Sequence, residues 1–199
     1  ERGRRGAVGA GRGLGGTLRP HVKTHKSIEV MREVARAGNV AGITVSTLRE
    51  AEYFFAHGFD DILYAVGITP NKLEHAARLI ARGCRLQLTL DSPDMARRCA
   101  EAGAARGVVF PVLIELDTDG HRAGVLPEGE GLLEVGRILH ECEGTALLGV
   151  MTHAGESYEC DTPESQRALA HQERDRSCLA AERLREVGLP CPVVSVGST

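Results

Sequence analysis

The sequence predicts an α/β protein with a parallel sheet, in the form of a (β/α)8 TIM-type barrel with about seven βα units present and the eighth missing. From Thr17 onward, short apolar runs alternate with amphipathic helical stretches. Continuous apolar runs indicate strands that helices cover on both faces, as in parallel sheets. A doubly wound sheet is the alternative architecture, but seven units in a row favour the barrel.

The elements follow from their composition and their end signals. The helices begin at N-cap residues followed by proline, as at Ser92-Pro93 and Thr162-Pro163, and they end at glycines such as Gly103. The predicted strands are 17–24, 40–46, 61–66, 85–90, 108–117, 146–153 and 192–197. The predicted helices are 27–37, 47–57, 70–82, 92–103, 130–142 and 163–187.

The composition excludes several classes of function. A net charge of -3 gives no reason to expect a nucleic acid or an anionic membrane as partner, and no apolar run is long enough for a membrane span. The six cysteines are scattered without a C-x-x-C pair, which favours reduced thiols and a cytoplasmic protein.

Residues 1–16 are rich in Gly and Arg, and this composition predicts a disordered or aberrant start. A basic RNA-binding tail is the alternative, but no aromatic residue is interleaved to stack on bases. The remaining 17–199 form the predicted barrel domain.

The segment RPHVKTHK is unusual for a strand of this class. Its alternate residues Arg19, His21, Lys23 and His25 would share one face, which would then carry only cationic or titratable groups. Such a face suits a polar site better than a core. A lysine that is partly desolvated among positive groups has its amine form favoured, as Schiff-base chemistry requires. Lys26 is the rival amine, and its register should turn it away from this face.

The end of the last predicted strand suggests a phosphate site. Gly197, Ser198 and Thr199 offer backbone N–H groups and two hydroxyls, and barrels commonly bind phosphate after strands seven and eight. A plain turn is the simpler interpretation. Combined with Lys23 on the first strand, however, this turn predicts a site for a phosphorylated aldehyde.

Four segments carry a family resemblance: RPHVKTHK, LDTDGHRAGV, THAGESY and the terminal SVGST. They resemble the fold-type III pyridoxal-phosphate enzymes, the alanine-racemase-like barrels, and within them the D-threonine aldolase and D-serine dehydratase branch. The resemblance implies that Lys23 forms the Schiff base with pyridoxal 5'-phosphate. It further implies that Arg122 lies beside the cofactor ring, with His153 and Tyr158 nearby, and that Gly197, Ser198 and Thr199 begin the phosphate cup.

The resemblance also implies what the intact protein does. It predicts a lyase that acts on small-molecule β-hydroxy D-amino acids, as a homodimer, with a divalent metal (Zn or Mn) whose ligands are not in this chain. The family's C-terminal half, which includes a β-domain, is expected to be missing here. Simpler roles remain open for some residues: Arg122 could pair with Asp117 or Asp119, Tyr158 could be loop packing, and His21 and His25 could line the pocket.

Two other functions are compatible with the sequence. The first is a non-catalytic pyridoxal-phosphate-binding protein of the homeostasis type, which shares the barrel and lacks the β-domain. The second is an inactive fragment of the lyase, because a barrel without its eighth strand has two open sheet edges. The sequence favours the lyase, since RPHVKTHK is a specific signature of its branch.

Overall fold

The computed structural model describes residues 16–156 and 160–197. Among these residues, parallel strands alternate with helices, and the strands follow chain order in the sheet. The strands are β1 Ile43–Val45, β2 Asp61–Gly67, β3 Arg85–Leu90, β4 Phe110–Leu116, β5 Thr145–Thr152 and β6 Val193–Val196. The α-helices are α1 Ile28–Ala37, α2 Leu48–Ala56, α3 Leu73–Ala81, α4 Pro93–Arg106, α5 Glu130–Glu141 and α6 Pro163–Glu186. The α/β class with a parallel sheet is confirmed, and no helix of the described residues is long and apolar enough to cross a membrane.

The first predicted strand, 17–24, is wrong as a regular strand. Leu18 and His21 make isolated parallel bridges to Val40 and Thr44, and a 3-10 turn follows at Val22–Thr24. The ladder cannot continue because Pro20 has no N–H to donate and the His21 side chain accepts the N–H of Lys23. The other predicted strands are confirmed to within three residues at each end.

The described residues form two compact units. The first comprises the residues up to Val66 together with Arg78–Gln87. Its core contains the fully buried side chains Ile43, Val45, Phe54, Ile62 and Tyr64. Arg19 crosses to β2, where its Nη1 lies 2.5 Å from Asp61 Oδ1, so its charge is paired inside this unit.

The second unit comprises Gly67–Ala77 and the described residues from Leu88 onward. Its sheet places Leu116 of β4 beside Thr152 of β5, and Thr152 beside Val196 of β6. The loops that follow these three strands therefore begin at one edge of the sheet. The fully buried side chains beneath them include Phe110, Val112, Ile114, Leu132, Val135, Leu139 and Val150.

Helix α4 runs past its predicted end. Gly103 lies inside the helix, which ends instead at Gly107 with a left-handed φ of 63°. Gly103 is required there because a Cβ on it would overlap with the backbone of Gly144. The missing side chain thus serves a close backbone approach rather than a helix stop.

We predict that Gly103→Ala destabilises the protein by about 1 to 3 kcal/mol, because two backbone segments would have to separate. The matched control is Gly131→Ala in the first turn of α5, where a new Cβ meets only Val125 Cγ1 at 3.9 Å. This control should be neutral or stabilise by up to about 1 kcal/mol, because alanine loses less chain entropy on folding. Urea unfolding measures both; equal effects of the two changes would contradict the assignment.

Candidate active site

Lys23 lies in the 3-10 turn Val22–Thr24 of the first unit, with buried Val22 anchoring the turn. The Lys23 side chain is exposed, so the desolvation expected from its neighbours is not seen in the described residues. Arg19 does not add an unpaired positive charge next to Lys23, because its guanidinium forms an ion pair with Asp61. Within the described part of the chain, the Lys23 ammonium has no hydrogen-bond or ion-pair partner.

The two histidines of RPHVKTHK shape the backbone around this lysine. His21 Nδ1 accepts the Lys23 N–H at 3.2 Å, and His25 Nδ1 accepts the Ser27 N–H at 3.2 Å. Ser27 is in turn the N-cap of α1, where its hydroxyl accepts the Val30 N–H. The histidines therefore act as local caps on either side of Lys23.

Lys26, the rival amine, is engaged. Its Nζ lies 3.4 Å from Glu50 Oε1, and its backbone takes a positive φ of 45°. Glu50 also accepts the N–H groups of Ser46 and Thr47 at the start of α2. Burial raises the pKa of Glu50, but these N–H groups and Lys26 outweigh it and hold the pKa below its usual value.

In the second unit, Asp119 holds together two of the loops that follow the strands. Its Oδ2 accepts the N–H groups of Gly155 and Glu156 at 2.7 and 3.2 Å, and its Oδ1 accepts that of His121. Burial raises the pKa of Asp119, but the hydrogen bonds that its carboxylate accepts lower the pKa by more. The net result is a pKa below the usual value. His121 Nε2 adds a contact of 2.7 Å to Glu156 Oε1 across the same two loops.

Arg122 projects from this pair of loops as an exposed cation. Its side chain covers Gly155, where a Cβ would come within 2.8 Å of Arg122 Cδ. Structural pairing with Asp117 or Asp119 is not found, because those carboxylates accept backbone N–H groups and Arg122 has no hydrogen bond or ion pair within the described ranges. Burial raises the pKa of the nearby Glu115 carboxyl; Asp91 adds to this effect and the positive charge of Arg122 opposes it.

His153 and Gly197 are brought together across β5 and β6. His153 Nδ1 lies 2.7 Å from the Gly197 carbonyl oxygen. A carbonyl only accepts, so Nδ1 carries the hydrogen and the ring orientation is fixed. Tyr158, Ser198 and Thr199 lie outside the described residues, and their predicted roles stay predictions.

The side chains that anchor these loops, Glu50 and Asp119, were not predicted from the sequence. Glu50 carried a readable signal, because Thr47 and Glu50 form a capping-box spacing that the structure contains. Asp119 carried only a turn signal before Gly120, and nothing local indicated its bonds to residues 36 and 37 positions away. Among the described residues, no group of three or more His, Cys, Asp or Glu side chains is arranged to hold a metal ion.

Comparison with known proteins gives a consistent result. Residues 10–199 match the family model described as alanine racemase, N-terminal domain. The chain is 56% identical over 183 residues to D-threo-3-hydroxyaspartate dehydratase of Delftia sp. (strain HT23), covering 92% of this chain and 48% of that protein. It is 32% identical over 197 residues to D-serine dehydratase of Dictyostelium discoideum, covering 94% of this chain and 50% of the other.

Solved structures agree with the predicted fold. The Delftia dehydratase superposes with a TM-score of 0.96 at 52% identity, over 100% of this chain and 52% of that one, and a mutant of that enzyme is known in a metal-free form. D-threonine aldolase from Filomicrobium marinum superposes with a TM-score of 0.90 at 26% identity, over 98% of this chain and 53% of that one. The chain thus spans about half the length of the relatives it matches, and the predicted incomplete (β/α)8 barrel is confirmed.

We predict that Asp119→Asn destabilises the protein by about 1 to 2 kcal/mol at pH 7, because charge-assisted bonds to backbone N–H groups are lost. A carboxyl with a lowered folded pKa stabilises above its unfolded pKa of about 4, and this contribution is lost as the pH falls through the folded pKa. The difference between variant and wild type should therefore shrink as the pH falls below the unfolded pKa of about 4.

Urea midpoints measured from neutral to acidic pH test this linkage. The control is Asp175→Asn on the exposed face of α6, where the carboxylate contacts only the neighbouring Arg174 among the described residues. A difference for Asp119→Asn that stays constant across the pH range would contradict the assigned role of its charge.

Proposed function

The chain belongs to the alanine racemase N-terminal domain family, and on that premise we propose that the protein is a pyridoxal-phosphate-dependent lyase of β-hydroxy D-amino acids. Its relatives in this family are dehydratases and aldolases of such substrates. Because the most similar of the relatives named above acts on D-threo-3-hydroxyaspartate, we propose that amino acid as the substrate and dehydration as the reaction.

One observation carries the assignment of Lys23 as the cofactor lysine. Of the two lysines in RPHVKTHK, Lys26 is ion-paired to Glu50, whereas the Lys23 Nζ has no partner within the described ranges. A lysine that binds an aldehyde covalently must present an unengaged amine. The contrast between the two lysines supports Lys23, as the resemblance implied.

The residues present fit the cofactor chemically. Pyridoxal phosphate offers an aldehyde, a phenolic oxygen and a phosphate, so it requires an amine, a cation and N–H or hydroxyl donors. Lys23 supplies the amine, and Arg122 supplies a guanidinium without an ion-pair partner among the described residues. Gly197 opens the proposed phosphate-binding turn, and no atom lies within 4 Å of the position a Cβ would take there.

When bound, the cofactor supplies an electron sink for the substrate's α-carbon. Lys23 Nζ would hold the cofactor and, once the substrate's amino group has displaced it, would be the free amine that takes the substrate's α-proton. Arg122 and Tyr158 orient the cofactor, and His153 keeps its Nδ1 hydrogen on the Gly197 carbonyl. Ser198 and Thr199 bind the phosphate with Gly197. The divalent metal (Zn or Mn) expected for the intact enzyme has no ligand set among the described residues, so no step is assigned to it.

The remaining features of the proposal concern the protein in the cell. Small-molecule D-amino acids are its partners in this family, in line with the substrates of its relatives. A homodimeric assembly and a cytoplasmic location stay predictions from the family resemblance and from the scattered cysteines.

We predict that Lys23→Ala abolishes covalent cofactor binding, because no other amine in the motif is unengaged. The measurement is borohydride reduction of the protein with bound pyridoxal phosphate, followed by peptide mass mapping and by the absorbance of lysine-bound cofactor. The matched control is Lys26→Ala, which should still load the cofactor at Lys23 and should lose about 1 kcal/mol of stability with its partly exposed ion pair. Labelling of Lys26 in place of Lys23 would sink the assignment.

We predict that the protein converts D-threo-3-hydroxyaspartate to a 2-oxo acid and ammonia. Aldol cleavage of the same substrate would instead give glycine and an aldehyde, so product analysis separates the two reactions. The L-enantiomer and the Lys23→Ala protein are the controls. Cofactor binding at Lys23 without turnover of any β-hydroxy D-amino acid would favour the non-catalytic carrier or the inactive fragment.

A further inference from the structure

We infer that four side chains form a positioning device for the cofactor lysine, and this inference rests on the proposed role of Lys23. They are His21, Ser46, Glu50 and Lys26, here called the Lys23 clamp. All four belong to the first unit. Together they connect His21, which precedes Lys23, to Lys26, which follows it. The connection runs through the loop between β1 and α2.

The first link is the His21 ring, whose two nitrogens have different tasks. Nδ1 accepts the Lys23 N–H at 3.2 Å, so it carries no hydrogen. In the neutral ring the hydrogen then lies on Nε2, which is 3.3 Å from Ser46 Oγ and donates to it. The ring thereby ties the Lys23 backbone to the segment that follows β1.

The second link runs through α2. Glu50 Oε2 accepts the Ser46 N–H at 2.9 Å and the Thr47 N–H at 3.1 Å, while Glu50 Oε1 pairs with Lys26 Nζ at 3.4 Å. The Glu50 side chain is only 12% exposed, which screens this pair less than an ordinary surface pair. The Glu50 carboxylate thus binds both the loop that contains Ser46 and the Lys26 side chain, which follows the Lys23 turn.

The third link is the backbone at Lys26. Its φ of 45° is uncommon for a residue with a side chain, and such a conformation persists where its surroundings impose it. Here the Lys26 N–H donates to the Val22 carbonyl at 2.9 Å and its ammonium is held by Glu50. The hydrogen bond from Lys26 to Val22 closes the turn that contains Lys23. The Lys23 side chain itself takes no part in the clamp.

The clamp fixes the backbone of Lys23 while leaving its Nζ unengaged. Preorganisation of a reactive group lowers the entropy that must be lost when it meets its partner. His21 and its partners are positioning residues, since they act on Lys23 through its backbone N–H. Loss of the clamp should slow the capture of the cofactor by Lys23 without changing which residue captures it.

The test compares three substitutions at His21. Asn presents an acceptor oxygen close to the Nδ1 position and favours the same local bond to the N–H two residues on, whereas Gln presents its amide near the Nε2 position and Ala removes both. Hydrogen exchange of the Lys23 amide is measured in the full chain without cofactor. Exchange should accelerate about five- to tenfold in His21→Ala and His21→Gln, and by a smaller factor in His21→Asn, which keeps the acceptor for the Lys23 N–H but loses the bond to Ser46.

Two further variants keep the test decisive if His21→Ala does not fold. Ser46→Ala removes only the partner of Nε2 and should accelerate Lys23 exchange by a smaller factor. His57→Ala is the matched control, because its Nδ1 contacts the Tyr53 carbonyl in the same unit, and it should leave Lys23 exchange unchanged. Equal exchange in the Asn and Gln variants, or wild-type exchange in the Ala variants, would overturn the clamp.

A second readout separates this inference from the proposed function. The initial rate of borohydride-trapped cofactor at Lys23 should follow the same order of variants as the amide exchange. If exchange follows that order but no cofactor is trapped in any variant, the clamp stands as a backbone device and the proposed function fails. If cofactor is trapped equally in all variants while exchange is unaffected, the function stands and the clamp is wrong.

Discussion

Backbone N–H groups that lie beyond the ends of strands must still find acceptors, and this constraint organises the loops of both units. Side chains meet it. His21 accepts the N–H of Lys23, Asp119 accepts three N–H groups from two loops, and the buried Glu173 accepts the N–H of Ala154. The loops that carry the predicted site residues are therefore held by side-chain acceptors in addition to a few isolated backbone bridges.

This use of acceptors decides which charges remain for a ligand. Glu50 and Asp119 are carboxylates close to basic residues, yet backbone N–H groups occupy them. Burial alone would raise their pKa values, but the bonds that they accept hold both pKa values below the usual range. The cations left without a partner in the described residues include Lys23 and Arg122. Within its own unit, each of these cations can therefore meet an anionic ligand without having to leave an ion-pair partner among the described residues.

The elements that local pattern determines were predictable, and those that depend on distant partners were not. Strand β3 begins and ends where its apolar run predicts, because that run is bounded by Gly83 and by the Ser92 cap. The prediction of a strand over 17–24 was wrong because the His21 side chain accepts the Lys23 N–H in place of a neighbouring strand. Hydrophobic periodicity does not reveal such a bond. Alternation made Lys23 a candidate and grouped Arg19 with it, but it could not reveal that Arg19 pairs with Asp61, which lies 42 positions away.

The clamp also explains why histidine serves position 21 better than a smaller acceptor. Asparagine can cap the Lys23 N–H, but it has no second group at the distance of Nε2 that could reach Ser46. Histidine accepts at one end and donates at the other, so one side chain joins the lysine turn to the segment after β1. A histidine two residues from the lysine proposed to bind the cofactor suggests proton transfer at first sight. In this turn both ring nitrogens are already bonded to the fold, so its role is to hold the lysine in place.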